Sequence, residues 1–276
     1  MNQHDELLII EAGFSDKHYW ENLWRFRGLL YVLAIKDVAV RYKQTVIGIL
    51  WALIRPFMAM IIFTVVFGQI AGLSSATEIP YALVIFSALL PWQLFSSALI
   101  EGSNSLVSNG HLISKIYFPR MVIPAATLLV VFIDFLVSLL ILVGLMFWYH
   151  FLPNWNLLFL PIFILMALLA SFGLSLWLGA LNVKYRDIRY AIPFLVQLGL
   201  YASPVGFSSS IVPDKWKVFY FLNPMVGIID GFRWCILGGV KFNALSFGMS
   251  VSVITFFMYF GIAQFRAMEK KFSDLM

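Results

Sequence analysis

Charge is what this sequence has least of. Only 12% of its 276 residues are Asp, Glu, Lys or Arg, while 61% are hydrophobic and the mean hydropathy is +0.88. Soluble domains carry roughly 25% charged residues, so an ordinary soluble fold is excluded. One cysteine, Cys235, rules out an internal disulfide and any cysteine-built metal site. The four histidines (His4, His18, His111, His150) are scattered, and no His-Glu-x-x-His occurs. There is no Gly-Lys dipeptide, hence no phosphate-cradling loop, and the chain is not expected to hydrolyse ATP. Nor do external loops offer the facing carboxylates of an acid–base enzyme. No cofactor is expected on this chain.

What is there is apolar and long. Six stretches, at 47–73, 81–101, 122–149, 157–183, 191–207 and 245–265, approach or exceed the ~20 helical residues that cross a bilayer. Lipid offers no water to a bare backbone, so such stretches must be helices. The expected fold is an all-α membrane protein with six transmembrane helices. Loop charge sets its orientation: 14 Lys and Arg fall on one side and 4 on the other, leaving out Arg55 inside the first span. Both termini are therefore expected to be cytoplasmic, with multi-pass insertion in the cytoplasmic membrane. Insertion accounts for the net charge of +5, and nucleic acid is not an expected partner. Residues 1–11 are acidic and their apolar run is short, so the first span is expected to act as an uncleaved insertion signal.

Residues 19–34 repeat Trp20, Leu23, Phe26, Leu30 and Leu33 at helical spacing, which predicts an amphipathic helix lying on the membrane. It serves as an anchor, with or without a docking role. Arg41 and Lys43 follow at the inner head-group level, where each cation contributes about 1 kcal/mol of attraction to anionic lipid. Arg55 lies inside the first span and reads either as a snorkelling or paired structural cation or as a contact for a phosphate-bearing substrate. Asp134 sits in the middle of the third span and is expected to have an interhelical partner, while Glu101 reads as a boundary residue with no special role. Residues 208–244 hold two apolar pieces around Asn223-Pro224, each too short to span, which predicts a re-entrant helical pair before the last span. Asp230 and Arg233, three apart, are expected to pair.

Three motifs carry a family resemblance. The first is Arg41-Tyr42-x-x-Thr45-x-x-Gly48, then Leu50-Trp51 and Pro56; the second runs from Leu181 to Arg189; the third is Asn223-Pro224-Met225. In this order and topology the chain resembles the permease subunits of type-2 ABC transporters that export lipid-linked O-antigen, capsule or teichoic acid chains. The resemblance implies a homodimer around a central channel, working with two copies of a separate ABC ATPase subunit that holds ATP and Mg. The cargo would be an undecaprenyl- or other lipid-linked polysaccharide. It also implies that 102–120 is a coupling segment seated on the ATPase through Leu112, Ile113, Ile116, Tyr117 and Phe118, which otherwise read as docking or bilayer-lying residues. Lys184, Tyr185, Arg186, Asp187 and Arg189 would form a second, smaller contact.

Aromatics make up 17% of the chain, and many stand at span ends as an interfacial belt. Seven others (Trp51, Phe57, Phe63, Phe67, Phe194, Tyr201 and Phe207) fall where the resemblance places the channel, and aromatic faces suit a sliding sugar polymer. The domain reading is a cytoplasmic head at 1–46, a transmembrane domain at 47–265 with the external segment 208–244, and a cytoplasmic tail at 266–276. A secondary transporter or a membrane-embedded sugar-lipid transferase are the rivals, but neither inverted repeats nor a catalytic cluster is visible.

Overall fold

The computed structural model describes residues 19–43, 50–72, 79–238, 242–269 and 272. Among them the chain is helical, with no strand, as backbone satisfaction in lipid requires. Two helices, α1 (Tyr19–Arg25) and α2 (Arg27–Lys43), come first; α3 (Leu50–Phe63) then continues into a π-helical stretch at Thr64–Ile70. α4 (Tyr81–Ser108), the single turn α5 (Gly110–Ile113), α6 (Val122–Trp148) and α7 (Leu160–Lys184) follow. α8 (Ile188–Ala202), α9 (Asp214–Tyr220), α10 (Pro224–Leu237) and α11 (Ala244–Glu269) complete the order. Thr45 and Gly48 of the first motif, and both ends of the first expected span, lie outside the described residues.

Among the described residues five helices are long and apolar enough to cross a membrane, where the sequence led us to expect six. The exception is the stretch at 191–207. Its helix, α8, has only 15 residues, about 22 Å, against a hydrocarbon core of ~30 Å. The helix stops at Ala202, just before Pro204, whose ring disfavours a helical residue ahead of it.

α4 is the axis of the bundle. It packs on α6, α7 and α10, and Leu83, Ile85, Phe86 and Ala88 along it are fully buried. The other spans keep a wide uncovered side. In lipid there is little hydrophobic drive between helices, so close backbone approach decides the packing. α7 and α11 cross glycine on glycine: a Cβ on Gly173 would lie 2.7 Å from the Phe257 carbonyl, and one on Gly261 would run into the carbonyl of Gly173.

α10 is too short to span yet is buried over 12 of its 14 residues. The Asn223-Pro224 motif explains how it starts. Asn223 caps the helix by accepting from the Met225 N–H at 3.0 Å, and Pro224 fills the first turn, where its missing N–H costs nothing. Gly238, at φ 69°, ends it in the left-handed conformation. A second apolar cluster joins Tyr19, Leu33, Ile113, Phe118, Met121, Phe265 and Phe272. It gathers α1, α2, the segment after α4 and the end of α11 at one end of the bundle, called here the basic end; the opposite end is the far end.

Replacing Gly261 by Val should destabilise the chain by about 1–3 kcal/mol, because overpacking forces two helices apart. Gly144, whose Cβ position meets nothing within 4 Å, should tolerate the same change. Thermal unfolding of both variants in detergent checks the contrast.

Candidate functional site

Arg41, expected at lipid head groups, turns inward. One arm of its guanidinium reaches Glu101 on α4 and the other reaches Asp134 on α6, while the Tyr42 hydroxyl donates to Asp134. One cation thus ties α2 to two spans through charge-assisted hydrogen bonds, the strong kind. Burial opposes the Arg41 charge, but Glu101 and Asp134 outweigh it and hold its pKa above the ordinary arginine value. Burial, then the bond to Asp134, pushes the Tyr42 phenol up. Asp134 has the interhelical partner expected of it. Glu101 is a member of the hub rather than the bystander read from the sequence. Lys43 is exposed at the end of α2. A cavity of about 630 Å³ opens beside the hub between α2, α3, α4 and α6, and Trp51, Arg55, Gln93 and Ser97 also line it.

The aromatics expected to line a channel divide into two groups. Trp51, Phe57, Phe194 and Tyr201 stand on α3 and α8 with 48%, 43%, 61% and 64% of their surface uncovered. Phe63 and Phe67 are half-buried and stack on each other, ring centroids 5.4 Å apart. Phe207 is half-buried beyond α8. The π-helical continuation of α3 meets the segment that follows α8 through the Phe67 ring, which fills the space over Gly206; a Cβ there would lie 2.7 Å from it.

Residues 203–209 cross the far end as a strap, held on all sides. Asn223 donates to the Ser203 hydroxyl at 2.9 Å, and the Tyr81 hydroxyl donates to the Gly206 carbonyl at 2.9 Å. Arg233 donates to the carbonyls of Phe207 and Val205 at 2.8 and 3.0 Å, and Ser209 donates to Asp230 at 2.6 Å. The expected Asp230–Arg233 pair is therefore corrected: each side chain binds the strap instead. The strap's carbonyls, turned inward by the break at Pro204, need donors, and a guanidinium supplies several in one plane.

At the basic end the segment expected to couple to an ATPase is only partly open. Ile113 and Phe118 are buried in the second cluster and Leu112 is half-buried, while Ile116 and Tyr117 remain 52% and 57% exposed. Phe118 shares that cluster with elements distant in sequence, among them α1, α2 and the end of α11, which no local pattern announces. Lys184, Tyr185, Arg186, Asp187 and Arg189 are all exposed, with the Lys184 ammonium 4.8 Å over the Tyr185 ring. The two segments start side by side. Asn182, buried near the end of α7, donates to the Ser103 carbonyl at 3.1 Å and to the Asn104 side chain at 2.9 Å, both on α4. The Arg120 N–H donates to Glu269 at 2.8 Å, and Arg266 stacks 4.7 Å over the Tyr19 ring, closing this end.

Apolar helices of spanning length, two of them tied together by an ion cluster, define a polytopic membrane protein. The chain belongs to the ABC-2 type transporter family, whose match spans residues 28–237. The O-antigen export system permease protein RfbA of Klebsiella pneumoniae is 29% identical over 259 residues, covering 92% of this chain and 97% of that protein. A protein of the same name from Myxococcus xanthus is 28% identical over 214 residues, covering 76% of this chain and 81% of that one.

Replacing Arg41 by Leu leaves Glu101 and Asp134 without their cation and should destabilise the chain by about 1–3 kcal/mol. Adding Asp134→Leu should recover part of that loss, because an apolar pair replaces an uncompensated charge. A double-mutant cycle on detergent unfolding midpoints measures the coupling.

Proposed function

We propose that this chain is the permease subunit of an ATP-driven exporter that moves lipid-linked polysaccharide, of O-antigen or capsule type, across the cytoplasmic membrane. The observation that carries the reading is the near full-length similarity to O-antigen export permeases. It works as a homodimer, both termini cytoplasmic, with two copies of a separate ATPase subunit that binds ATP and Mg. Support for that division of labour comes from the sequence, which has no phosphate loop, and from exposed groups at the basic end. Ile116 and Tyr117 offer apolar surface and Lys184–Arg189 offers charge, a pairing suited to a protein groove.

The uncovered aromatic sides of α3 and α8 support a passage between two copies. A helix in lipid gains nothing from aromatics in mid-span unless something packs on them, and a chain of sugars presents apolar ring faces that stack there. The strap and α10 stand at the far end as its external boundary. Stacking without a fixed register lets a polymer slide, which an exporter of long chains requires.

Two measurements test the reading. Changing Ile116 and Tyr117 to Asp, or reversing the charge of Lys184, Arg186 and Arg189, should leave insertion intact. Either change should lower export at least several-fold for each ATP hydrolysed by the reconstituted complex. Export and hydrolysis that stay in the wild-type ratio in both variants would place the ATPase contact elsewhere. Alanine at Trp51, Phe63 or Tyr201 should weaken export of long chains, each lost ring contributing about 1 kcal/mol by analogy with base–aromatic stacking. Assembly should survive, and chain-length profiles of exported polymer provide the check.

A further inference from the structure

The hub satisfies its own members and leaves one cation over. Asp134 is engaged at both oxygens, by Tyr42 at Oδ1 and by Arg41 at Oδ2. Glu101 meets Arg41 through Oε2 alone, so its Oε1 is open. Arg55 lines the same cavity on α3, one turn beyond Trp51, and has no hydrogen bond or ion pair among the described residues. It lies close enough to Glu101 for the two charges to interact across the cavity, yet no ion pair joins them. Arg55 is exposed toward this cavity with no anion bonded to it, and an ionisable group on a span is by default a candidate for a functional site.

The cavity's own charges say what fits. Arg41 and Arg55 balance Glu101 and Asp134, so the lining is neutral as a whole but divided locally. A purely anionic head group would bring its charge against two carboxylates, and a purely cationic one against two guanidiniums. An uncharged sugar would leave Arg55 unmet. A head group with a phosphate and an ammonium meets both open groups, the phosphate on the planar fork of Arg55 and the ammonium on Glu101 Oε1. The volume, about 630 Å³, lies within the range of small-molecule sites. Leu90, Leu94, Val131 and Phe135 supply apolar wall for the first carbons of the chains.

We propose that the cavity between α2, α3, α4 and α6 binds the head group of a zwitterionic phospholipid of the phosphoethanolamine class, with phosphate on Arg55 and ammonium on Glu101. The lipid acts as a resident wedge between α3 and the Arg41 hub. This assignment needs only the membrane setting of the chain, not the identity of its cargo.

The test reads lipid retention, which is separate from export. The full chain is reconstituted in vesicles of phosphatidylethanolamine and phosphatidylglycerol in equal parts, with added polyprenyl phosphate, then extracted in detergent and weighed by native mass spectrometry. One phosphatidylethanolamine per chain should survive washing that removes phosphatidylglycerol. Arg55→Gln should weaken retention about tenfold, Arg55→Lys should fall between, and Glu101→Gln should narrow the preference over phosphatidylglycerol. Retention in Arg55→Gln equal to wild type would overturn the site. Tighter retention of phosphatidylglycerol, or of polyprenyl phosphate, by the unmodified chain would overturn the zwitterion. That comparison decides the matter even where a variant fails to insert.

Discussion

A charge in lipid must find its counter-charge, and in this chain one guanidinium meets that requirement for two spans at once. Arg41 joins Glu101 to Asp134, and Tyr42 completes the second carboxylate. Without it, α4 and α6 would each carry an uncompensated acid among apolar neighbours. With it, α2 is pinned against both, and the cavity beside α3 takes its shape from that pinning. The ion cluster is worth more for where it places the helices than for the net energy it adds, since desolvation offsets much of the attraction.

The remaining architecture follows from backbone satisfaction and close approach. α4 is buried because glycine, alanine and serine along it let α6, α7 and α10 come near. α10 is admitted to the bundle without spanning it because Asn223, Pro224 and Gly238 close its two ends. The strap at 203–209 is irregular backbone at the edge of the bundle, tolerated where side chains from α4 and α10 answer its carbonyls.

The long spans were legible in the sequence because lipid leaves a helix no alternative, and hydrophobic length alone identifies it. The ends of α10 were legible too, since Asn-Pro is a local signal. Partners across the bundle were not. Asp134 and Arg41 are 93 residues apart, and no spacing rule links them. Asp230 and Arg233 misled for the opposite reason. Their separation fits a helical pair, but the strap's open carbonyls compete for the guanidinium, and tertiary demand overrode local spacing. The fifth apolar stretch was counted to its last hydrophobic residue, although Pro204 closes the helix earlier. Among the residues expected to couple, apolar character could not distinguish Phe118, buried in the cluster that joins α1, α2 and α11, from Tyr117, left open.

Asn182 has a mechanical meaning. By bolting the end of α7 to the end of α4, it makes the loops that leave those two helices the paired handles of one lever. Torque applied at either handle is delivered to the same axis, α4, around which α6, α7 and α10 are packed. A push on either loop would therefore be felt first along α4, the most buried of the long helices, before it reached α3 and α8, whose outer sides are uncovered.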